Sequence, residues 1–189
     1  YDDLVAINAD EGSSGPITHI RVQGIYAEDC HSAVRLLSCK SLIDDIHISD
    51  IYGTFYQYCV GISKYYHEGD GDGNYGAIAL DHIYASKARR LAVYNKAPDS
   101  YVFSIIWVEG DVRVRNLKVA DLHRRETLNP IETIHICARG QIDLLTLDNI
   151  DTENLTEASD MPLLRNEGSI GCLKAANIHK DGQVDPGHF

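Results

Sequence analysis

Two adjacent carboxylates, Asp2 and Asp3, stand just before the apolar alternation LVAIN, and a histidine, His31, precedes a second alternation in CHSAVRLL. Carboxylates side by side repel each other, so one of a pair can keep its proton near neutral pH and act as a general acid while the other stays ionised. An inverting glycosidase holds its acid and base carboxyls about 6.5 to 9.5 Å apart to admit a water. Neighbouring residues or neighbouring chain turns can span that. A histidine beside the pair would orient or tune it. Asp2, Asp3 and His31 are therefore the catalytic candidates. The other use of such a pair is to cap a turn, the role expected of Asp44 and Asp45.

Further groups suit recognition of a sugar. Tyr58, Tyr65, His67 and Glu68 combine aromatic faces with hydrogen-bonding edges, and Arg35 and Lys64 supply cations that would face an acidic ligand. Tyr26, Tyr52, Tyr84 and His123 recur at one position of a repeat, where they would stack either on sugar rings or on one another. The stretch GDGDGNYG offers Asp70, Asp72 and Asn74, with Asp81 at the twelfth place, but Tyr75 occupies the place where a calcium loop needs glycine. It reads as a Gly/Asp loop, and neither a metal nor a cofactor is expected. Five cysteines without CxxC spacing form an odd set that reads as free, buried thiols.

The elements that must position these groups are set by a nine-residue pattern, apolar at offsets 0, 3, 5 and 8. It begins at Ile17, Ile43, Tyr75, Val114, Ile142 and Ile170, at spacings of 26, 32, 39, 28 and 28. A second alternation precedes each copy: Val5/Ile7, Val34/Leu36, Val60/Ile62, Ile106/Val108, Ile134/Ile136 and the weaker Leu164. Gly110, Gly140 and Gly168 fall between the two in the last three copies. Those offsets mix badly with a period of 3.6, and β-branched residues dominate, so the segments are strands. Each unit is too short to bury an apolar face alone. Stacked coils are required, and the fold is predicted to be a right-handed parallel β-helix of about six coils. Residues Gly24, Asp50, His82, Asp121, Asn149 and Asn177 share one register position, where Asn and Asp favour a left-handed corner and can bond to the next coil. Aligning Ile7 with Leu36 stacks Asp2 over His31 and Asp3 over Ser32, about 4.8 Å apart.

The segment DDLVAIN resembles the DDCxAI segment of polygalacturonases, the glycosidase branch of the pectin-lyase-like β-helix superfamily. The resemblance implies that one aspartate is the general acid and the other helps to activate water. The family's histidine segment corresponds to CHSAVRLL, with Ser32 at its exact register and His31 one place earlier. Its RIK segment corresponds to VGISK, which puts Gly61 at the arginine and Ser63 at the lysine. The family's third acidic residue comes from a coil before Asp2. Arg35 and Lys64 would have to serve a uronate from shifted positions, so a neutral glycan is as plausible a substrate as pectin.

Composition bounds the rest. With 189 residues, 44% hydrophobic and 24% charged, the chain is an ordinary folding sequence. It reads as a single β-helix domain or segment over 1–189, with an irregular insertion at about 86–104 and a polar tail at about 180–189. A net charge of −11 without a basic cluster argues against nucleic acid, and no apolar run is long enough to span a membrane as a helix. The expected partner is a polysaccharide or oligosaccharide, with further coils or another chain covering the N-terminal edge. The expected activity is hydrolysis of glycosidic bonds. A phage tailspike or other glycan-binding solenoid is the alternative, and a polysaccharide lyase the third reading. The expected location is extracellular or periplasmic, or on a virion.

Overall fold

The computed structural model describes residues 3–12, 14–64, 71–89, 102–158 and 160–184. These residues form a parallel β-solenoid of about six coils without a helix: β1 Asp3–Asn8, β2 Ile17–Leu37, β3 Ile43–Ser63, β4 Gly73–Lys87, β5 Ile106–Val108, β6 Val112–Glu126, β7 Ile134–Ile136, β8 Gln141–Asn154, β9 Leu164–Asn166, β10 Ser169–Lys180 and β11 Gln183–Val184.

The predicted registers are observed among the described residues, which leave out Asp2 and so its pairing with His31. Ile17, Ile43, Tyr75, Val114, Ile142 and Ile170 stack in one column, and the other three apolar positions of the nonapeptide stack beside it. Val5, Val34, Val60, Ile106, Ile134 and Leu164 form the matching column of the second face. Their side chains meet in one continuous core in which Ile43, Ile48, Ile51, Ile62, Leu117 and Ile134 are wholly buried. Removing such a side chain from water stabilises the fold by about 1.5 to 3 kcal/mol. Tyr75 is buried at an interior position, and its hydroxyl donates to the carbonyls of Leu36 and Ser63 at 3.1 and 2.5 Å. It is a core residue, and Asn74 beside it bonds to Lys40 and Arg115.

All six residues of the corner column have positive φ, from 48° at Asp121 to 79° at Gly24. The ladder along it forms only around Asp121, which accepts from Asn149 and lies 3.8 Å from His82. Asp50 accepts instead from Gln23, and Asn177 donates to Asp148. Gly110, Gly140 and Gly168 lie in the bends between the paired strands of the last three copies, and their missing side chains also meet a packing need. A Cβ on Gly168 would stand 2.1 Å from the Gly140 carbonyl oxygen, and one on Gly110 2.6 Å from that of Ala138. Successive coils approach too closely there for a side chain, while the left-handed residues of those bends are Asp111 and Arg139. The Asp44-Asp45 pair lies within β3 and does not cap a turn: Asp45 is left-handed there, and Asp44 accepts the Ala77 N–H of the next coil at 2.7 Å. All five cysteines are free, but only Cys39 and Cys59 are buried and Cys172 is exposed, because it faces outward from the last coil.

Candidate functional site

Three successive coils converge on Asp3. Its register partner is Ser32, as the alignment of Ile7 with Leu36 requires, and Ser32 pairs in turn with Tyr58. The hydroxyls of Ser32 and Tyr58 both donate to Asp3 Oδ1, the second at 3.1 Å. Arg35 brings its Nε to 3.2 Å from Asp3 Oδ2 and its Nη2 to 3.6 Å from Glu11. The Asp3 and Arg35 side chains are only 3% and 14% exposed. His31 contacts the Ser32 hydroxyl at 3.3 Å through Nδ1. Asp3, His31, Arg35 and Tyr58 thus belong to one cluster. Asp2, Tyr65, His67 and Glu68 lie outside the described residues.

Two expectations are revised. Arg35 does not stand free for a uronate, since Asp3 and Glu11 already engage it. Lys64, three residues beyond the Gly61 that pairs with Arg35, is engaged by other partners. Its Nζ donates to the Gly71 carbonyl and its backbone N–H to Glu109.

Gly61, at the position of the family's arginine, is explained by Tyr58. A Cβ there would come within 2.6 to 2.9 Å of the Tyr58 ring, so the missing side chain is what lets the ring lie flat and its hydroxyl reach Asp3. The ring continues into an aromatic shelf. Tyr58 lies 5.9 Å from Trp107 and 6.3 Å from Phe103, and Phe103 and Trp107 stack at 4.2 Å with planes 12° apart. One column of the second face therefore runs Arg35, Gly61 under the Tyr58 ring, Trp107, His135 and Arg165. His135 closes it with Glu132 on Nδ1 at 3.1 Å and Glu167 on Nε2 at 3.2 Å. The bond to Glu132 is the main cause that raises the His135 pKa, and the same bond lowers that of Glu132. Trp107, His135 and Arg165 were not among the expected site residues. Their signal is the register itself, which places IIWVEG, TIHICARG and LLRNEG on the face that carries Arg35.

Behind this face lies a second charged cluster. Arg124 and Glu126 are fully buried and paired at 2.8 Å. Lys87, also buried, donates from Nζ to the carbonyls of Gln57 and Phe103 at 2.8 and 2.7 Å. Burial, reinforced by the nearby Arg124 charge, brings its pKa down to about 7.

Just after the nonapeptide, Tyr52 and Tyr84 stack at 5.1 Å and Tyr84 and His123 at 4.6 Å, so the repeated rings mainly cover one another. Tyr26 does not join this stack and bonds to Glu28 instead. Asp81, His82 and Asp121 are the one group among the described residues with ligand atoms close enough for a metal, all within 4.8 Å. The His82 pKa is raised, chiefly by its bond to Asp81. No family model matches the chain, and neither the curated proteins nor the solved structures contain a significant match to it.

Proposed function

We propose that this chain is a carbohydrate-active β-solenoid that hydrolyses glycosidic bonds along its second face. In this reading Asp3 is the base of the carboxylate pair, Asp2 its acid partner, and His31 the group that positions them through Ser32. The supporting observation is the convergence of Ser32, Arg35 and Tyr58 on the single carboxylate of Asp3. A buried ion pair is weak evidence for stability, so one built from side chains of three coils suits a positioned site better than a fold requirement. Asp3 Oδ1 accepts from two hydroxyls and Oδ2 faces the Arg35 guanidinium at ion-pair distance, surroundings that fit the base better than the acid. The column from Arg35 to Arg165 crosses four coil spacings, about 19 Å, enough to hold several sugar rings in line.

The burial of Asp3 favours a second reading on the same face, in which a glycan is bound and not cleaved. Assaying the chain on neutral and acidic polysaccharides, with product analysis, tests both. Asp3→Asn and Asp2→Asn should each reduce turnover at least 100-fold, a loss that corresponds to about 2.7 kcal/mol of transition-state stabilisation, while binding persists. Turnover unchanged in both variants removes the catalytic roles. Binding without turnover in the unmodified chain selects the second reading.

A further inference from the structure

The ring stack of Tyr52, Tyr84 and His123 stops short. Tyr52, Tyr84 and His123 occupy three successive coils, each plane within 14° of its neighbour's, at distances set by the coil spacing. The next rung, paired in register with His123, is Asp151, and the one after that is His179. A short carboxylate therefore stands where the column would carry another ring. A cleft of about 320 Å³ opens beside it, lined by Tyr84, Ser86, His123, Arg125 and Asp151 among others. That volume is at the small end for ligand pockets and suits a single ring.

The polar groups at the rung are available. Asp151 is half exposed and makes no hydrogen bond among the described residues, and its Oδ2 lies 3.8 Å from His123 Nδ1, beyond hydrogen-bond reach. Arg125 engages Glu153 through Nε at 2.7 Å, which leaves its terminal NH2 groups as donors. The rung thus offers an aromatic ring, a two-oxygen acceptor and a guanidinium donor along the wall of that cleft.

We propose that this rung is a monosaccharide subsite, in which a pyranose stacks its C–H face on His123 and shares vicinal hydroxyls between Asp151 and Arg125. The polar edge distinguishes a sugar from a flat apolar ring, because two adjacent hydroxyls match one carboxylate. The −11 charge of the chain disfavours polyanionic occupants. This subsite extends the glycan reading above to a second place on the solenoid.

The test is an NMR titration of the 189-residue chain with methyl α-D-glucopyranoside, methyl β-D-galactopyranoside and methyl α-D-mannopyranoside, following the His123 ring resonances. At least one glycoside should shift them saturably with a roughly millimolar Kd. The affinity should fall at least tenfold in Asp151→Ala and in Asp151→Asn, and stay unchanged in Asp3→Asn. No saturable shift with any of the three, or equal affinity in the Asp151 variants, overturns the subsite. Polysaccharide turnover on the second face with no His123 shift sinks the subsite and leaves the glycan reading standing. A His123 shift without any polysaccharide binding or turnover does the reverse.

Discussion

Among the described residues, the charged clusters around Arg124 and around Asp3 are satisfied differently. Around Arg124 the partners are largely main chain: the guanidinium donates to the carbonyls of Asn129 and Ile131 and to Thr133, while Glu126 accepts the N–H groups of Lys87, Leu128 and Asn129. Around Asp3 the partners are side chains from separate coils, and Arg35 Nε reaches the carboxylate at ion-pair distance without hydrogen-bond alignment. Charge locked to backbone holds a chain path in place. Charge locked to side chains on an outward face keeps groups poised that could exchange a partner for a ligand. The first cluster is therefore structural and the second is the candidate site.

Breaking the structural cluster should have the largest effect on stability. Glu126 accepts hydrogen bonds on both oxygens, two of them from Arg124 at 3.1 and 2.8 Å. Glu126→Gln keeps the shape and removes the charge, leaving a fully buried guanidinium without its counter-ion. Loss of one partner of a buried pair costs about 3 to 5 kcal/mol. Denaturant unfolding should show that loss, whereas Asp3→Asn should cost clearly less. Equal losses would erase the distinction between the two regions.

Gly61→Ala sharpens the comparison from the other side. The new methyl would press on the Tyr58 ring, and overpacking of this kind costs about 1 to 3 kcal/mol. The ring must tilt, so its hydroxyl should leave Asp3 and polysaccharide turnover should fall together with the unfolding midpoint. Tyr58→Phe is the control: it keeps the ring and removes one hydrogen bond, worth about 1 kcal/mol. If Gly61→Ala lowers stability but leaves turnover untouched, the Tyr58 contact with Asp3 is not part of the site.

The coil registers were legible because side-chain period and burial are coupled in a strand: a one-residue slip would expose every inward Ile and Val. The meeting of Asp3 with Ser32 follows from the same constraint. The contact of Tyr58 with Asp3 was not legible, since it depends on a ring leaning over Gly61 rather than on which residues are paired. The Arg124 and Glu126 pair has a signal of its own in the sequence. They continue the inward alternation of Leu122 at period two, so a coil that reads apolar and then charged in the same phase was announcing buried charge. The aromatic column shows the limit of composition, which favoured rings on rings but left rings on sugars open until the stacking distances decided for the former at three rungs.

Lys87 connects the two regions, and its titration offers the finest test of their coupling. Its ammonium holds the carbonyl of Phe103, whose ring stacks on Trp107 and Tyr58, so the structural cluster supports the shelf beside Asp3. Burial lowers its pKa from 10.5 to about 7 in the folded chain. Between those values the unfolded state binds more protons than the native state, so this lysine makes stability rise with pH, by at most about 1.4 kcal/mol per pH unit. Lys87→Met removes the titrating group. Unfolding free energies measured from about pH 7 to about pH 9 should therefore show the unmodified chain gaining on the variant as pH rises, with titrations shared by both cancelling in the difference. A flat difference would mean that Lys87 keeps its proton throughout, held by the Gln57 and Phe103 carbonyls more firmly than desolvation opposes it. In that case the cation beneath the shelf is permanent, and its link to the Asp3 face is insensitive to pH.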